Sequence, residues 1–287
     1  MKLALGTVQF GLKYGVANKS GKLKINEVKK IINLAYENNI NTLDTASSYG
    51  NAEDILGNIG VDNFHISTKI YPGLDLKNDK QVLLKNINQS LRKLDVTKIN
   101  TIYFHRTSDL SDYNGKLMYE TLVNLKQKKI IKNIGISIYS PNELDLILDK
   151  YNIDIVQAPY NLVDRRIENS GWLKELKSRN ILIHARSIFL QGILLMKYDD
   201  SPIYFKQWNQ LWKEWNNWLQ LNPTISPLDV ALGFVYHNNF IDKVVVGVDS
   251  CDQLQEIINS ARKTSNLDFP NINSEDENLV SPYNWPK

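Results

Sequence analysis

One alternation, repeated eight times, constrains the fold of this chain more than any other feature. A short run rich in β-branched residues is followed by a longer stretch with helical periodicity. The runs that read as strands are Lys2–Gly6, Thr42–Asp44, His65–Lys69, Ile99–His105, Asn133–Ser137, Ile155–Pro159, Ile181–Arg186 and Lys243–Gly247. Helical periodicity marks Ile25–Asn38, Asn51–Ile59, Lys80–Leu94, Gly115–Gln127, Ser140–Lys150, Glu168–Arg179, Phe205–Leu219, Pro227–Asn238 and Ser250–Ser260. Eight strand-then-helix units in 287 residues predict an α/β fold of the TIM type, a (β/α)8 barrel forming a single domain over residues 1–287. The competing architecture is a doubly wound sheet, which normally carries Gly-x-Gly-x-x-Gly after its first strand. Here the first strand runs into Gly6-Thr7-Val8-Gln9-Phe10-Gly11, which lacks that spacing.

Helix starts carry capping chemistry. Ser140-Pro141-Asn142-Glu143 and Ser250-Cys251-Asp252-Gln253 read as capping boxes, and Ser226-Pro227-Leu228-Asp229 sets a cap, a proline and an acid in order. The segment Asp199–Leu221 is an extra helical insertion before the eighth strand, and the tail Thr264–Lys287 reads as irregular. A single cysteine excludes a disulfide framework and a cysteine zinc site. No apolar run reaches the roughly 18 residues of a membrane span, and the N-terminus is too short for a signal peptide before Gly and Gln appear. The expectation is a cytoplasmic protein with no membrane partner. With 34 Lys+Arg against 31 Asp+Glu, the net charge is +3, and no basic cluster suggests a nucleic-acid partner.

In a TIM barrel the chemistry lies at the C-terminal ends of the strands. Strand 2 ends at Asp44, strand 3 at Lys69 and strand 4 at His105, and Tyr49 follows Asp44 on the loop above it. Singly, these residues read as a cap, a solvated amine, a packed imidazole and a loop anchor. Together they read as a proton-transfer device that needs no metal. A phenol, with a pKa of about 10, donates poorly near neutrality. A nearby ammonium favours the phenolate and lowers that value. A carboxylate keeps the ammonium charged and oriented, and the imidazole directs a carbonyl.

These four residues resemble the catalytic set of the aldo-keto reductases, in the same order and at matching strand ends. The resemblance extends to Gly6-Thr7, Gly135-Ile136-Ser137, Val156-Gln157, Leu190-Gln191-Gly192-Ile193-Leu194 and the stretch Gly247 through Glu256. It implies an extended nicotinamide dinucleotide, NADPH or NADH, across the barrel mouth, and a small carbonyl substrate. By resemblance Ser137 and Gln157 hold the carboxamide, and Asp44 lies near the nicotinamide ribose. Gly6 and Thr7, then Arg186, Ser187, Phe189 and Gln191, then Gly247, Asp249, Ser250, Gln253 and Glu256 contact the rest of the cofactor.

Three positions depart from the family pattern. The usual Ser-Asn is Ser137-Ile138, so one carboxamide contact is missing or supplied differently. The aromatic often found under the nicotinamide aligns with Arg186. A guanidinium can stack on a ring, but a cation there disfavours oxidised nicotinamide; the plain alternative is a structural ion pair. The usual Asn after Glu256 is Ile257. Gly247–Glu256 also holds no basic residue and two extra acids, Asp249 and Asp252, so NADPH is not expected to be strongly preferred over NADH.

Other residues keep two readings. Arg106 meets an anionic substrate group or pairs with Asp109. Trp208, Leu211, Trp212, Trp215 and Leu219 recur at helical spacing and predict a buried face, while a sugar-stacking platform is the alternative and gives a slight hint of sugar-type carbonyls. Cys251 stands at a helix start, where a thiol pKa falls, and reads as structural. The expected function is NAD(P)H-dependent reduction of an aldehyde or ketone with Tyr49 as general acid. The rivals are a non-catalytic, cofactor-binding regulatory barrel and an aldolase forming a Schiff base on Lys69.

Overall fold

The computed structural model describes residues 1–70, 80–110, 113–263 and 267–286. Eight parallel strands close into a barrel in chain order, with the last paired to the first. They are β1 (Leu3–Gly6), β2 (Thr42–Ala46), β3 (His65–Ile70), β4 (Ile99–Phe104), β5 (Ile131–Ser137), β6 (Ile155–Pro159), β7 (Leu182–Arg186) and β8 (Lys243–Gly247). All eight expected strands are present, with ends shifted by two residues at most. The principal outer helices are Ile25–Glu37, Ala52–Ile59, Lys80–Leu94, Tyr113–Gln127, Glu143–Ile147, Trp172–Ser178, Pro227–Tyr236 and Cys251–Ala261, with Asn209–Leu221 inserted before β8.

Alternation along each strand divides the side chains between two environments. Leu5, Leu43, Ile66, Ile102, Ile134, Val156 and Val244 are at most 1% exposed and belong to the apolar core. Many of the residues that alternate with them are polar, among them Asp44, Ser67, Tyr103 and Gln157. Hydrogen bonds join β2 to β6 through Asp44 and Gln157, and β4 to β7 through Tyr103 and His184. Those strands are not neighbours, so the bonds cross the barrel interior. A buried polar layer therefore crosses a barrel whose outer wall is sealed by aliphatic packing.

The helices explain where the sequence reading slipped. The Ser140–Lys150 helix shortens to Glu143–Ile147; the Glu143 carboxylate accepts the N–H groups of Tyr139 and Ser140, the reciprocal half of the expected capping box, but no side-chain oxygen caps the helix itself. The Glu168–Arg179 helix divides into Arg166–Asn169 and Trp172–Ser178 at Gly171, whose φ of +83° is comfortable only for glycine. The capping box at Ser226 forms in full, with Asp229 reciprocating. Two short helices, Val8–Gly11 and Glu277–Val280, have no periodic signal and were not expected. In the tail, Ile272, Leu279, Val280 and Trp285 are buried, so it packs on the barrel, while residues 264–266 and 287 lie outside the described residues. Among the described residues no helix is long and apolar enough to cross a membrane.

Candidate active site

Strand register assembles the site before any side chain is considered. Gly6 pairs with both Asp44 and Gly247, Lys69 with Ala46 and Tyr103, and Ser137 with Gln157. The C-terminal ends of the strands therefore meet in one ring, which opens into a cavity of about 640 Å³. Its walls include Asp44, Tyr49, Lys69 and His105. Gly6, Thr7, Ser137 and Gln157 also line it, as do Arg186, Ser187, Phe189 and Gln191, then Gly247, Asp249, Gln253 and Glu256. Ser250 does not: its hydroxyl accepts the N–H of Gln253 at 3.1 Å and caps the Cys251–Ala261 helix.

Asp44 is the hub. Lys69 Nζ donates to its Oδ1 at 2.5 Å and Gln157 Nε2 to its Oδ2 at 2.6 Å, with all three residues at least nine-tenths buried. A buried carboxylate with both oxygens engaged by strand-borne donors has one orientation. Lys69 also reaches the Thr45 carbonyl at 3.3 Å and stands 5.4 Å from the centre of the Tyr49 ring. The turn carrying Tyr49 is clamped from two sides. Ser47 donates its N–H and hydroxyl to the Lys69 carbonyl. Gly11 packs so closely on the Tyr49 carbonyl that a Cβ there would lie 1.8 Å from the oxygen. Gly50, at φ +57°, completes the turn.

The electrostatics correct one expectation. Lys69 was expected to depress the Tyr49 phenol, but burial raises it, as does the Asp44 charge, while Arg186 pulls weakly the other way. The ammonium is engaged with Asp44, whose opposite charge offsets part of its field at the phenol. Burial lowers Lys69 itself, against the pull of Asp44. Tyr49 is therefore protonated at rest. His105 is lowered to about 4, first by burial and then by Lys69 and Arg186, so its imidazole is neutral near pH 7.

Beneath this layer Tyr103 bonds His184 Nδ1 at 2.8 Å, and Gly135 leaves room for the Tyr103 ring, which a Cβ would approach to 2.4 Å. Burial lowers His184 to about 4 against an ordinary 6.5. An imidazole buried neutral contributes stability fully above pH 6.5, and that contribution is lost as pH falls towards 4, because the unfolded chain binds the proton first. Urea unfolding should therefore show the wild type losing about 2 kcal/mol more than His184→Asn between pH 7 and pH 5. Equal losses in the two proteins would remove this role from His184.

Several residues now have one reading. Arg106 donates to Asp109 at 3.1 Å and is not among the residues lining the cavity. Trp212 and Trp215 are buried, Trp218 stacks on Trp215, and Trp208 bonds Asp276. None of these tryptophans lines the large cavity, so the buried face is the reading that holds. Burial and the Glu27 and Asp252 charges push the Cys251 thiol up, opposite to the fall expected at a helix start. Arg186 is not in an ion pair among the described residues. It donates to the Ile138 carbonyl at 2.9 Å and lies 4.8 Å over the Tyr139 ring.

The sequence reading missed Gln9, Tyr14, Asn18 and Tyr139, all of which line the cavity. Gln9 and Tyr139 follow strands and could have been found by the strand-end rule. Tyr14 and Asn18 sit deep in a long loop, where no periodicity points. Asn18 Nδ2 holds Asp249 Oδ1 at 2.8 Å across the mouth.

A family model described as the aldo/keto reductase family matches residues 2–276. The uncharacterised oxidoreductase YqkF of Bacillus subtilis is 26% identical, over 91% of this chain and 90% of that protein. L-glyceraldehyde 3-phosphate reductase of Escherichia coli K12 is 24% identical, over 84% and 80%. Among solved structures, the holo form of aldo-keto reductase AKR11C1 of Bacillus halodurans superposes with a TM-score of 0.71 at 20% identity, over 92% of this chain and 87% of that one, a likeness of fold.

Proposed function

The chain belongs to the aldo/keto reductase family and is, in that general sense, an NAD(P)H-dependent carbonyl reductase; for the reaction we propose that Tyr49 is the general acid. The observation that carries this reading is the convergence of Tyr49, His105 and the Lys69–Asp44 pair on one cavity at the strand ends. Tyr49 holds its proton at rest and donates it to the carbonyl oxygen as negative charge develops there. Neutral His105 donates an N–H to the same oxygen and fixes its direction. Lys69, held by Asp44, sits against the Tyr49 ring and steadies the phenolate left behind.

The cofactor fit is supported by two features. Gln157 Oε1 is fully buried with no partner, and it lies on the cavity wall. Gly6 and Gly247 leave the wall without side chains; a Cβ on Gly247 would lie 2.7 Å from Gln9. When bound, a reduced nicotinamide supplies the hydride. Gln157 Oε1 and Ser137 would hold its carboxamide. Gly6, Thr7, Ser187, Phe189 and Gln191 would line its middle, and Gly247, Asp249, Gln253 and Glu256 its adenosine end.

Cofactor choice follows from charge. Arg262 donates to Asn38 and Lys263 to Asp229, so both basic groups after the Cys251–Ala261 helix are turned to other partners. Asp249, oriented by Asn18, would accept bonds from free ribose hydroxyls and repel a 2′-phosphate. NADH should bind within about tenfold of NADPH, a gap of about 1.4 kcal/mol. Fluorescence titration with both reduced cofactors at one salt concentration measures this, and a hundredfold preference for NADPH would contradict it.

The wider reading is tested by a reduction screen over aldehydes, ketones and keto-sugars with each cofactor. The Escherichia coli relative's name makes a short sugar-phosphate aldehyde a sensible first compound. Against a Schiff-base aldolase stands the Lys69 amine itself, 2% exposed and bonded to Asp44. Borohydride trapping checks that directly: reduction without covalent labelling of Lys69 supports the reductase. Cofactor binding with no turnover on any carbonyl would favour a regulatory barrel.

A further inference from the structure

Of the cations lining the cavity, only Arg186 lacks a carboxylate against it among the described residues; the carboxylates of Asp249 and Glu256, which also line it, form no ion pair with it. Lys69 is balanced by Asp44, His105 is neutral near pH 7, and Asp249 is held by Asn18. Arg186 lines the same cavity, is only half-buried and has no carboxylate against it among the described residues. Its guanidinium is nevertheless fixed. NH2 donates to the Ile138 carbonyl at 2.9 Å, NH1 to Ser187 Oγ at 3.2 Å, and the plane lies 4.8 Å over the Tyr139 ring. Five N–H donors belong to a guanidinium, and those two bonds leave three. A structural arginine of this chain looks different: Arg166 is bonded to Asp164 through two nitrogens, and Glu277 lies 3.7 Å away. Arg186 also stands within the field of the reacting groups, since its charge bears on Tyr49, Lys69 and His105.

A fixed, preorganised and unneutralised guanidinium beside the proton donor is a recognition element for a planar or tetrahedral anion. We propose that Arg186 makes this a site for carbonyl substrates that carry a carboxylate or a phosphate, with the anion on the guanidinium and the carbonyl oxygen on Tyr49 and His105. The inference rests on the proposed reduction at Tyr49 and names its substrate class. The anion offsets the cation that folding leaves uncompensated, and it draws the substrate into one orientation. Tyr139, stacked under the guanidinium, keeps the fork from turning away. Neutral aldehydes of the same length lack that anchor and bind through the carbonyl alone.

The test uses matched substrates: glyceraldehyde 3-phosphate against glyceraldehyde, and succinic semialdehyde against butanal. Their kcat/KM values are measured at saturating reduced cofactor in the wild type, Arg186→Met and Arg186→Lys, with cofactor Kd titrated separately. The wild type should prefer the anionic member of at least one pair by about tenfold or more, mainly through KM. In Arg186→Met that preference should collapse to within about threefold, whatever happens to the common rate. Arg186→Lys should keep part of it, because it keeps the charge and loses the fork. Preference in the phosphate pair alone, or in the carboxylate pair alone, identifies which anion the site reads. Reduction of neutral aldehydes with no anion preference in the wild type would overturn the inference and leave the reductase reading standing. So would a preference that survives in Arg186→Met while cofactor Kd weakens, since Arg186 would then serve the cofactor's own phosphates. No turnover of any carbonyl would overturn both readings.

Discussion

Tyr49→Phe should lower carbonyl reduction by about 10²–10⁴-fold while leaving the Kd of the reduced cofactor within a few-fold of wild type. The ring fills the same space in the variant, and the clamp from Gly11 and Ser47 acts on the backbone, so the turn should keep its shape. What disappears is the hydroxyl that burial keeps protonated on the ring beside the Lys69 ammonium. Loss in kcat with binding intact separates a proton donor from a mere wall residue. Near-wild-type turnover would remove Tyr49 from the chemistry.

Lys69→Met should be nearly as damaging to turnover, and it should also destabilise the fold. The Lys69 ammonium bonds Asp44 at 2.5 Å in a site where both residues are at most 5% exposed. Removing it leaves a buried carboxylate held only by Gln157, and breaking such a pair costs about 3–5 kcal/mol. The uncompensated Asp44 charge then raises the phenol further, since Asp44 already raises it in the intact protein. The residual activity should fall away less steeply towards high pH than in the wild type, because a phenol with a higher pKa keeps its proton longer. Lys69→Met, Asp44→Asn restores neutrality and should recover much of the stability without recovering the rate. Full activity of Lys69→Met at neutral pH would show that the pair is structural.

How far the sequence carried these conclusions depended on the kind of signal. The strands were readable because a parallel strand buried on both sides is a dense apolar run, as in Ile99–Phe104 and Ile155–Pro159. Asp44, Lys69 and His105 were readable because a polar residue closing such a run has few reasons to be there. At the Glu143–Ile147 helix only half of the expected capping box forms: Glu143 accepts the Ser140 N–H, but no side-chain oxygen caps the helix, whose regular turns begin three residues later than the sequence suggests. The partners that tune the site were beyond reach for a different reason. Asn18 meets Asp249 across 231 residues and Gln157 meets Asp44 across 113, and closure of the barrel alone decides such contacts. The sign at Tyr49 failed in the same way. Lys69 near a phenol predicts a lowered value, but the structure adds burial and gives the ammonium to Asp44. The ring position of Arg186 was readable, whereas its lack of an ion-pair partner needed coordinates.

The most direct measurement follows a label. Wild-type protein is given C4-deuterated NADPH or NADH, with the deuterium on the transferable face, and an aldehyde that the screen shows to be reduced. The product alcohol is examined by NMR after a single turnover. The account predicts one deuterium on the carbinol carbon per cofactor oxidised, no covalent adduct on Lys69, and loss of the labelled product in Tyr49→Phe at saturating cofactor. Cofactor bound without any labelled alcohol from the wild type, or an aldehyde trapped on Lys69, would contradict it.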